Sequence, residues 1–314
     1  MLKKHNNLEI INVDNLSYGS NPANLNDIEN EPNYKLVKGS ITDKKLVSTI
    51  IQDVNVVVNF AAETHVDRSI ANPQPFLKTN ALGAFTLLEA SRNADINMFL
   101  HVSTDEIYGA AQRTTSFKEI DALNPSNPYS ASKAAADMFV TAYYKTYGLK
   151  VIITRSTNNF GPYQFPEKFI PKAIIRALLN MEVPIYGSGK QIRDWIYVTD
   201  HCEGLDLVLR EGSPGEVYNI SAGNEIENIK IAESILCLLG KPKDMIGFVE
   251  DRPGHDVRYS LDSTKIRTKL GWKPKNKFNE ALEKTVEWYK SNEQWWKPLI
   301  NTKILHPTPW KLVP

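Results

Sequence analysis

Short apolar runs alternate with longer helical patterns in the first half of the chain. Five runs are rich in β-branched residues and almost continuously apolar: residues 9–14, 35–39, 54–61, 98–103 and 150–156. Such runs are typical of parallel strands that are covered on both faces. The clearest helical patterns between them are residues 75–93 and 129–147. This alternation predicts an α/β protein with a doubly wound parallel sheet.

The second half has shorter and more mixed elements. A turn-rich segment at residues 158–166 predicts a linker. Helices are expected at residues 168–180, 200–210, 228–239 and 279–291, and strands at 183–186 and 216–221. We expect strand 216–221 to return to the large sheet. The predicted domains are therefore residues 1–157 plus about 196–222, and a smaller C-terminal lobe of about 158–195 plus 223–314.

Composition excludes several classes of function. The 314 residues contain 37 Lys and Arg against 36 Asp and Glu, and this balance makes nucleic acid or an anionic membrane surface an unexpected partner. Two cysteines, Cys202 and Cys237, cannot form a disulfide framework, and no spacing suggests a metal site. The longest apolar runs are too short to span a bilayer, and residues 1–7 lack the apolar core of a signal peptide. We expect a soluble, cytoplasmic protein.

Asp14 ends the first apolar run and resembles the acid that holds the adenosine ribose in dinucleotide-binding folds. That acid follows the G-x-G-x-x-G loop by about 20 residues. The first glycine here is Gly19, and the later pair Gly187 and Gly189 has Ile192 in place of the third glycine. Asp14 therefore either caps a strand or binds ribose; in the second case the first strand and its glycine loop are expected upstream of Met1.

Tyr129 and Lys133 lie four residues apart at the start of a predicted helix, after Pro128. This spacing puts the phenol and the ammonium group on one face. A nearby cation favours phenolate, so Tyr129 could act as a base near neutral pH. The alternative is a chance pair on a solvated helix.

Polar residues follow the predicted strand at residues 98–103, namely Thr104, Asp105 and Glu106. Ligands bind at the carboxyl ends of parallel strands. Two adjacent carboxylates repel each other, which raises one pKa and suits an acid/base pair. The alternative is a solvated loop cap.

Several longer motifs resemble the dTDP-glucose 4,6-dehydratases of the extended short-chain dehydrogenase/reductase superfamily. They are Thr104-Asp-Glu, Tyr129-x-x-x-Lys133, Phe60-Ala-Ala-Glu-Thr-His-Val-Asp-Arg-Ser69, Arg155-Ser-Thr-Asn-Asn-Phe-Gly-Pro-Tyr-Gln164, Gln191-Ile-Arg-Asp-Trp195 and Asp251-Arg-Pro-Gly-His255. The resemblance implies a Rossmann-type sheet, bound NAD and a nucleotide-sugar substrate.

The resemblance also assigns residues. The catalytic set it implies is Thr104, Asp105, Glu106, Tyr129 and Lys133. The NAD-binding set is Asp14, Asn15, Leu16, Ser17, Ser40, Ile41, Phe60, Ala61, Ala62, Thr64, Thr79, Tyr129, Lys133 and Asn159. The set for dTDP-glucose is Thr64, Thr104, Asn158, Lys168, Phe169, Pro184, Ile185, Tyr186, Arg193, Asn219, Asp251, Arg252, Pro253, Gly254 and His255. Arg193 and Arg252 suit a diphosphate because guanidinium groups bind such oxygens in pairs.

The implied reaction is an internal redox cycle that forms dTDP-4-keto-6-deoxyglucose. Tyr129 would take the 4-hydroxyl proton while C4 is oxidised, Glu106 would take the C5 proton, and Asp105 would protonate the departing 6-hydroxyl. Related epimerases lack an acid/base pair after this strand, and GDP-mannose dehydratases resemble Thr-Ser-Glu here.

Two departures from the family pattern keep alternatives open. Ser40 and Ile41 stand where the family has Asp-Ile, which weakens an adenine contact, and the opening strand and glycine loop of the family have no counterpart. The strand expected upstream would lie between the strands at residues 9–14 and 54–61, and without it we expect weak NAD affinity and no useful turnover. The alternatives are an NAD-dependent nucleotide-sugar epimerase or decarboxylase, and an inactive form without NAD.

The helices at residues 75–93 and 129–147 are apolar over more than one face. Met138, Phe139, Ala142 and Tyr143 are too many for a single stripe. The surplus predicts a four-helix contact in a homodimer, unless the smaller lobe covers this face.

Overall fold

A four-stranded parallel sheet forms the centre of the larger lobe in the computed structural model, which describes residues 1–2, 4–5 and 7–312. Its strand order is β3-β4-β5-β9, with bounds Val56–Asn59, Met98–Thr104, Val151–Ser156 and Val217–Ile220. All six residues of β5 are buried, as the continuous apolar run predicts. The expected return of the strand near residue 217 to this sheet is confirmed, and so is the α/β class.

The strands β1 (Ile10–Asp14) and β2 (Tyr34–Lys38) form a separate parallel pair. Within the described residues, β1 is paired with β2 and β3 is paired with β4, and no ladder joins β1 to β3. The two strands that would flank the expected upstream strand therefore do not pair with each other within the described residues.

Helices cover both faces of the larger lobe. They are α1 (Lys44–Ile50), α2 (Val66–Ala71), α3 (Gln74–Phe76), α4 (Ala84–Asn93), α5 (Pro128–Tyr147), α7 (Val198–Glu211) and α9 (Thr264–Leu270). A π-helical turn at Leu77–Gly83 joins α3 to α4, so the predicted helix at residues 75–93 is continuous but not uniform. Over residues 1–2, 4–5 and 7–312, no helix is long and apolar enough to cross a membrane.

The start of α5 follows directly from its sequence. The Asn127 side chain accepts a hydrogen bond from the Ser130 amide, and the Ser130 hydroxyl oxygen accepts one from the Asn127 amide, which makes a capping box. Pro128 occupies the first helical position, where its missing N–H costs nothing. Gly148 ends the helix at φ 71°.

The smaller lobe has its own hydrophobic core. Its strands are β6 (Asn158–Phe160), β7 (Val183–Tyr186), β8 (Ile192–Tyr197), β10 (Glu225–Glu227) and β11 (Ile246–Val249), and its helices are α6 (Phe169–Leu178), α8 (Asn228–Leu238), α10 (Phe278–Ser291) and α11 (Glu293–Trp296). Buried side chains of α6, α8 and α10, among them Ile174, Ile235 and Val286, form this core.

The prediction of a linker at residues 158–166 is partly wrong. Residues Asn158–Phe160 form β6, which pairs in parallel with β8. The two asparagines and the following Gly-Pro gave a turn signal, but Phe160 is only 1% exposed and packs against Trp195 and Phe278. Tertiary packing of this one ring outweighs the local turn preference.

Gly109 provides a test of the turn that follows β4. It has φ 77°, and a Cβ there would overlap the carbonyl oxygen of Asn124. Gly148 has φ 71° and no heavy atom near its Cβ position. We expect both Ala substitutions to cost about 1–2 kcal/mol for the left-handed backbone. Gly109→Ala should cost about 1–3 kcal/mol more, because of the overlap. Chemical denaturation measures both losses, and equal losses would contradict the close contact.

Candidate active site

The carboxyl end of β4 runs into a short 3-10 turn, Asp105–Tyr108. Thr104 caps this turn, since its hydroxyl oxygen accepts a hydrogen bond from the Glu106 amide at 3.3 Å. The same hydroxyl donates to Asp105 Oδ1 at 3.2 Å. Thr104, Asp105 and Glu106 are thus presented together at the edge of the sheet where ligands bind.

Asp105 and Glu106 have different surroundings. Asp105 is 3% exposed, and its Oδ2 has no hydrogen-bond partner within the described residues. Burial, followed by the neighbouring Glu106, raises the pKa of Asp105 well above its usual range. Glu106 is only half-buried and faces a cleft between the two lobes. The expectation that one carboxyl of this pair has a raised pKa is confirmed, and its protonated form can act as an acid.

Tyr129 and Lys133 lie on the first turns of α5, beside the end of β4. Lys133 Nζ donates to the carbonyl oxygen of Val102 at 2.7 Å, and burial lowers the pKa of Lys133 to about 8. The pKa of Tyr129 is raised, first by burial and then by the negative charge of Glu106. The prediction that the nearby ammonium brings the pKa of Tyr129 close to neutral is therefore wrong for this structure. Burial and the carboxyl groups of Glu106, Asp105 and Asp137 oppose ionisation of the phenol.

A buried charged network lies beneath this pair. Asp137, one turn after Lys133, accepts a hydrogen bond from Arg155 Nε at 3.0 Å, and both residues are almost inaccessible. His101 Nε2 lies 3.6 Å from Asp137 Oδ1, and burial keeps the pKa of His101 well below its usual range. His101 is therefore neutral, and the Asp137 carboxylate pairs with Arg155 and also raises the pKa of Lys133.

The loop after β3 is fixed by Asn80, a residue that the sequence analysis did not assign. Its Oδ1 accepts from the Glu63 amide at 2.8 Å, and its Nδ2 donates to the Glu63 carbonyl oxygen at 3.0 Å and to Ser132 Oγ at 2.9 Å. Asn80 thus holds Phe60, Ala61, Ala62 and Thr64 next to α5. Its position in the π-helical turn is the structural signal, since such turns are frequent at functional sites.

The residues expected to hold NAD lie along one edge. Asp14 ends β1, and its Oδ1 accepts from the Leu16 amide at 2.7 Å, which orders the turn containing Asn15 and Ser17. Ser40 Oγ binds Thr42, and Ile41 is buried beside it. Thr79 is half-buried in the π-helical turn. Asn159 differs, because its amide groups already bind His201, Ser156 and Thr157.

Three features of these residues suit a bound dinucleotide. Phe60 is 60% exposed at the mouth of the loop after β3, beside the small side chains of Ala61 and Ala62. Lys133 has three donor hydrogens. The acceptor found among the described residues is the Val102 carbonyl, which leaves donors for ribose hydroxyls. Asp14, at the end of β1, has a carboxylate that suits a second ribose.

Most of the residues that are expected to bind substrate line the cleft between the two lobes. Those that line it are Thr64, Asn158, Lys168, Phe169, Pro184, Ile185, Tyr186, Arg193, Arg252 and His255. Lys168 Nζ donates to the Thr64 carbonyl oxygen at 2.7 Å, which ties the smaller lobe to the loop after β3.

Asp67 organises the cationic end of this cleft. It accepts from Arg252 Nη1 at 3.0 Å and from the Tyr186 hydroxyl at 2.9 Å. Arg193 donates to the carbonyl oxygens of Ile192 and Asp256. Two guanidinium groups therefore face one cleft, which suits a ligand that carries two phosphates.

Asn219 does not line this cleft. It is completely buried, and its amide binds the Tyr108 hydroxyl and the carbonyl oxygens of Phe117 and Asp262. Asn228 lines the cleft instead, with a buried Oδ1 that has no partner in the described part of the chain. Both asparagines lie at the end or start of an apolar run, so no local pattern distinguishes the one that lines the cleft.

The Asp251 carboxylate stabilises the turn at residues 251–255 by three hydrogen bonds. It accepts from the Arg252 amide, from Gln191 Nε2 and from His255 Nδ1, at 2.9, 2.9 and 2.6 Å. Asp251, Pro253 and Gly254 are not among the cleft-lining residues, whereas Arg252 and His255 are. Asp251 therefore shapes the turn, and its neighbours face the ligand.

Other cleft residues were not assigned from the sequence. They include His65, Asp67, Glu167, Lys172, Trp195, Asn228 and Tyr259. His65 and Asp67 lie within the motif Phe60–Ser69, which resembles the dehydratase family. Their place in this motif was the sequence signal for a role in the cleft. Tyr259 follows the turn at residues 251–255 by only four residues.

Comparison with known proteins gives the family. A sequence model of the family described as GDP-mannose 4,6 dehydratase matches residues 1–285. The chain belongs to this family. The dTDP-glucose 4,6-dehydratase of Streptomyces niveus is 47% identical over 287 residues, which are 91% of this chain and 85% of the relative. The low-salt glycan biosynthesis protein Agl12 of Haloferax volcanii is 48% identical over 285 residues, 91% of each chain.

The fold agrees with that of a solved relative. The dTDP-glucose 4,6-dehydratase DesIV from Streptomyces venezuelae, crystallised with NAD, superposes with a TM-score of 0.92. The two sequences are 44% identical, and the match covers 93% of this chain and 90% of that chain. The resemblance to dTDP-glucose 4,6-dehydratases and the Rossmann-type fold are confirmed.

The titration of Lys133 tests the buried network. The Asp137 carboxylate raises the pKa of Lys133 against the larger, opposite effect of burial. Asp137→Asn should therefore move the midpoint below about 8. Nuclear magnetic resonance of labelled lysine side chains measures it. Asp206→Asn is the matched control, since Asp206 pairs with Lys4 and Arg210 far from Lys133. An unchanged midpoint in Asp137→Asn would show that the carboxylate does not act on Lys133.

Proposed function

We propose that this chain is a dTDP-glucose 4,6-dehydratase, which converts dTDP-glucose to dTDP-4-keto-6-deoxyglucose and water with NAD bound. The observation that carries the proposal is the carboxyl pair at the end of β4. Asp105 is buried with a raised pKa, Glu106 faces the cleft, and both act electrostatically on Tyr129. Elimination of water needs an acid and a base in addition to the redox step, and this pair offers both.

NAD is proposed to lie along the carboxyl edge of the larger lobe. Asp14 would hold one ribose, Lys133 the other, and the loop at residues 60–64 would cover the part between them. NAD, when bound, takes two electrons from the sugar and returns them later in the same cycle. NAD-containing crystals of related dehydratases support this assignment.

The roles of the catalytic residues follow from their surroundings. As the phenolate, Tyr129 would take the proton of the 4-hydroxyl during oxidation. The ammonium group of Lys133 would offset part of the cost of forming this phenolate, which burial and the nearby carboxyl groups oppose. The resulting ketone makes the C5 proton acidic, and Glu106 would remove it. Asp105 would give its proton to the departing 6-hydroxyl, and Thr104 would keep Asp105 oriented through their hydrogen bond.

The substrate is proposed to occupy the cleft between the lobes. Arg193 and Arg252 would bind the diphosphate, and Asn158, Lys168 and Asn228 line the same cleft near Glu106. The names of the relatives support dTDP-glucose as the sugar nucleotide. A cytoplasmic location stays a prediction from the sequence.

Product analysis tests the function. We expect protein that carries the opening strand and glycine loop of the family pattern to release dTDP-4-keto-6-deoxyglucose without added NAD, which is measured by its absorbance in alkali. Without these two elements, weak NAD affinity and no useful turnover stay the prediction. Asp105→Asn and Glu106→Gln should slow elimination by about 10²–10⁴-fold, the usual contribution of a general acid or base. The same variants should still reduce bound NAD in a single turnover, whereas Tyr129→Phe should not.

Asp121→Asn is the control for the loss of a carboxylate, since Asp121 is exposed on a loop. An epimerised sugar nucleotide as the product would refute the dehydratase proposal. Equal losses at the redox step and the elimination step in both carboxylate variants would refute the division of roles.

We further propose that the protein is a homodimer. Leu77, Leu82, Met138, Phe139 and Tyr147 are 63, 46, 52, 42 and 52% exposed. They lie on the π-helical turn and on α5, which pack against each other. The smaller lobe does not cover them, although Tyr143 beside them is buried. A contiguous exposed apolar surface of this kind supports a contact between two copies.

Sedimentation tests the dimer. We expect a dimer for the unmodified chain and a monomer for Met138→Glu combined with Phe139→Glu, because buried charges oppose association. Ile120→Glu is the control, since Ile120 is 92% exposed on a separate loop. A monomer at micromolar concentration in the unmodified chain would overturn the proposal.

A further inference from the structure

A chain of hydrogen bonds leads from Glu106 to the protein surface. The Tyr259 hydroxyl lies 3.3 Å from Glu106 Oε2 and 2.7 Å from Asp256 Oδ2. The Ser126 hydroxyl donates to the same Oδ2 of Asp256. Tyr259 and Asp256 are buried, at 2 and 8% exposure, whereas Ser126 is exposed. The chain therefore has one end in the cleft and the other at solvent.

The turn at residues 251–255 brings this chain together. Gly254 has φ 65°, and a Cβ there would approach the Ser126 carbonyl oxygen to 3.0 Å. The close approach places Asp256 beside Ser126, just before α5 begins. The ring of Tyr259 is held by Arg193, whose guanidinium lies 4.1 Å from the ring centre. The hydroxyl of Tyr259 is thus fixed between two carboxyl groups.

A tyrosine hydroxyl has one hydrogen, so it can donate to only one of these carboxyl groups at a time. When Glu106 is ionised, the hydroxyl can donate to either carboxylate. When Glu106 carries a proton, the acid can donate to the Tyr259 oxygen while the hydroxyl donates to Asp256. Burial and the charge of Glu106 keep the pKa of Tyr259 well above its usual value, so the residue stays neutral.

The proposed reaction, on which this inference rests, requires proton exchange at the carboxyl pair. Asp105 loses its proton to the departing water in every turnover. Glu106 gains the C5 proton and must supply one when C5 is reprotonated. The water carries a proton away from Asp105 while Tyr129 gains the proton of the 4-hydroxyl, so a turnover consumes no proton overall. A route from the carboxyl pair to solvent allows Asp105 to regain its proton before the next cycle and allows the proton on Glu106 to exchange.

We propose that Tyr259, Asp256 and Ser126 form a proton relay that connects Glu106 with solvent. In the outward direction the O–H bond of Glu106 breaks and the Tyr259 oxygen takes the proton. The original Tyr259 hydrogen passes to Asp256 Oδ2. Asp256 then passes its proton to the Ser126 oxygen as the Ser126 hydrogen leaves to water. The inward direction reverses these steps, and the relay residues regain their starting state after both.

Retention of a label at C5 tests the relay. The NAD-loaded protein is given dTDP-glucose that carries deuterium at C5, in ordinary water. In the unmodified protein the relay exchanges the deuterium on Glu106, so we expect most of it to be lost from the product. Tyr259→Phe keeps the ring beside Arg193 but lacks the hydroxyl, and Asp256→Asn cannot carry the proton. Both variants should retain several-fold more deuterium.

Ser126→Ala, at the solvent end, should give intermediate retention. Tyr289→Phe is the matched control, because Tyr289 loses a buried hydroxyl bound to the Gln164 carbonyl oxygen, far from Glu106. Its retention should equal that of the unmodified protein. The fraction of deuterium retained at C5 reports the route of the proton and not the turnover rate. If Tyr259→Phe only disturbed the structure, the variant would turn over more slowly but would not retain more deuterium.

Each outcome separates the relay from the proposed function. Product that keeps its deuterium in the unmodified protein, or equal retention in Tyr259→Phe and Tyr289→Phe, overturns the relay alone. Failure of the NAD-loaded protein to form any 4-keto-6-deoxy sugar overturns both the proposed function and the relay that depends on it.

Discussion

The arrangement of the catalytic residues depends on one buried ion pair. Arg155 of β5 binds Asp137 of α5, and its Nη1 also donates to the Tyr108 hydroxyl at 2.6 Å. One guanidinium group therefore holds the helix that carries Tyr129 and Lys133, the central sheet, and the turn that presents Asp105. Loss of one member of a buried pair leaves an uncompensated charge and costs about 3–5 kcal/mol. Catalytic geometry and stability consequently share the same contact.

Much of the fold could be predicted because the central strands carry their own local signal. The runs that became β4 and β5 are apolar on both faces, and Asn127, Pro128 and Gly148 mark the ends of α5. The residues proposed to be catalytic could be singled out from the sequence because they lie in short local motifs. The direction of the pKa of Tyr129 could not be predicted, because it depends on burial and on carboxyl groups 23 and 24 positions away.

The residues that line the substrate cleft could not be predicted from the sequence, because the cleft is formed by segments that are distant along the chain. Asn219 and Asn228 differ little in local sequence, yet one is enclosed by Phe117 and Asp262 and the other faces the cleft. The two lobes meet through contacts such as that of Tyr18 with Glu167, at 2.5 Å, and that of Arg252 with Asp67. Residues more than a hundred positions apart define this surface, so no periodicity along the chain reveals it.

The separate pairing of β1 with β2 has a consequence for the dynamics of the protein. Two strands alone are marginally stable, and their hydrogen bonds within the described chain are to each other. Amide hydrogens of β1 and β2 should thus exchange through local opening, while those of β4 and β5 exchange only on global unfolding. Asp14 lies at the end of the less protected unit. Binding of the proposed NAD next to Asp14 would then order β1 and β2. Part of the free energy of NAD binding would offset the cost of ordering these two strands.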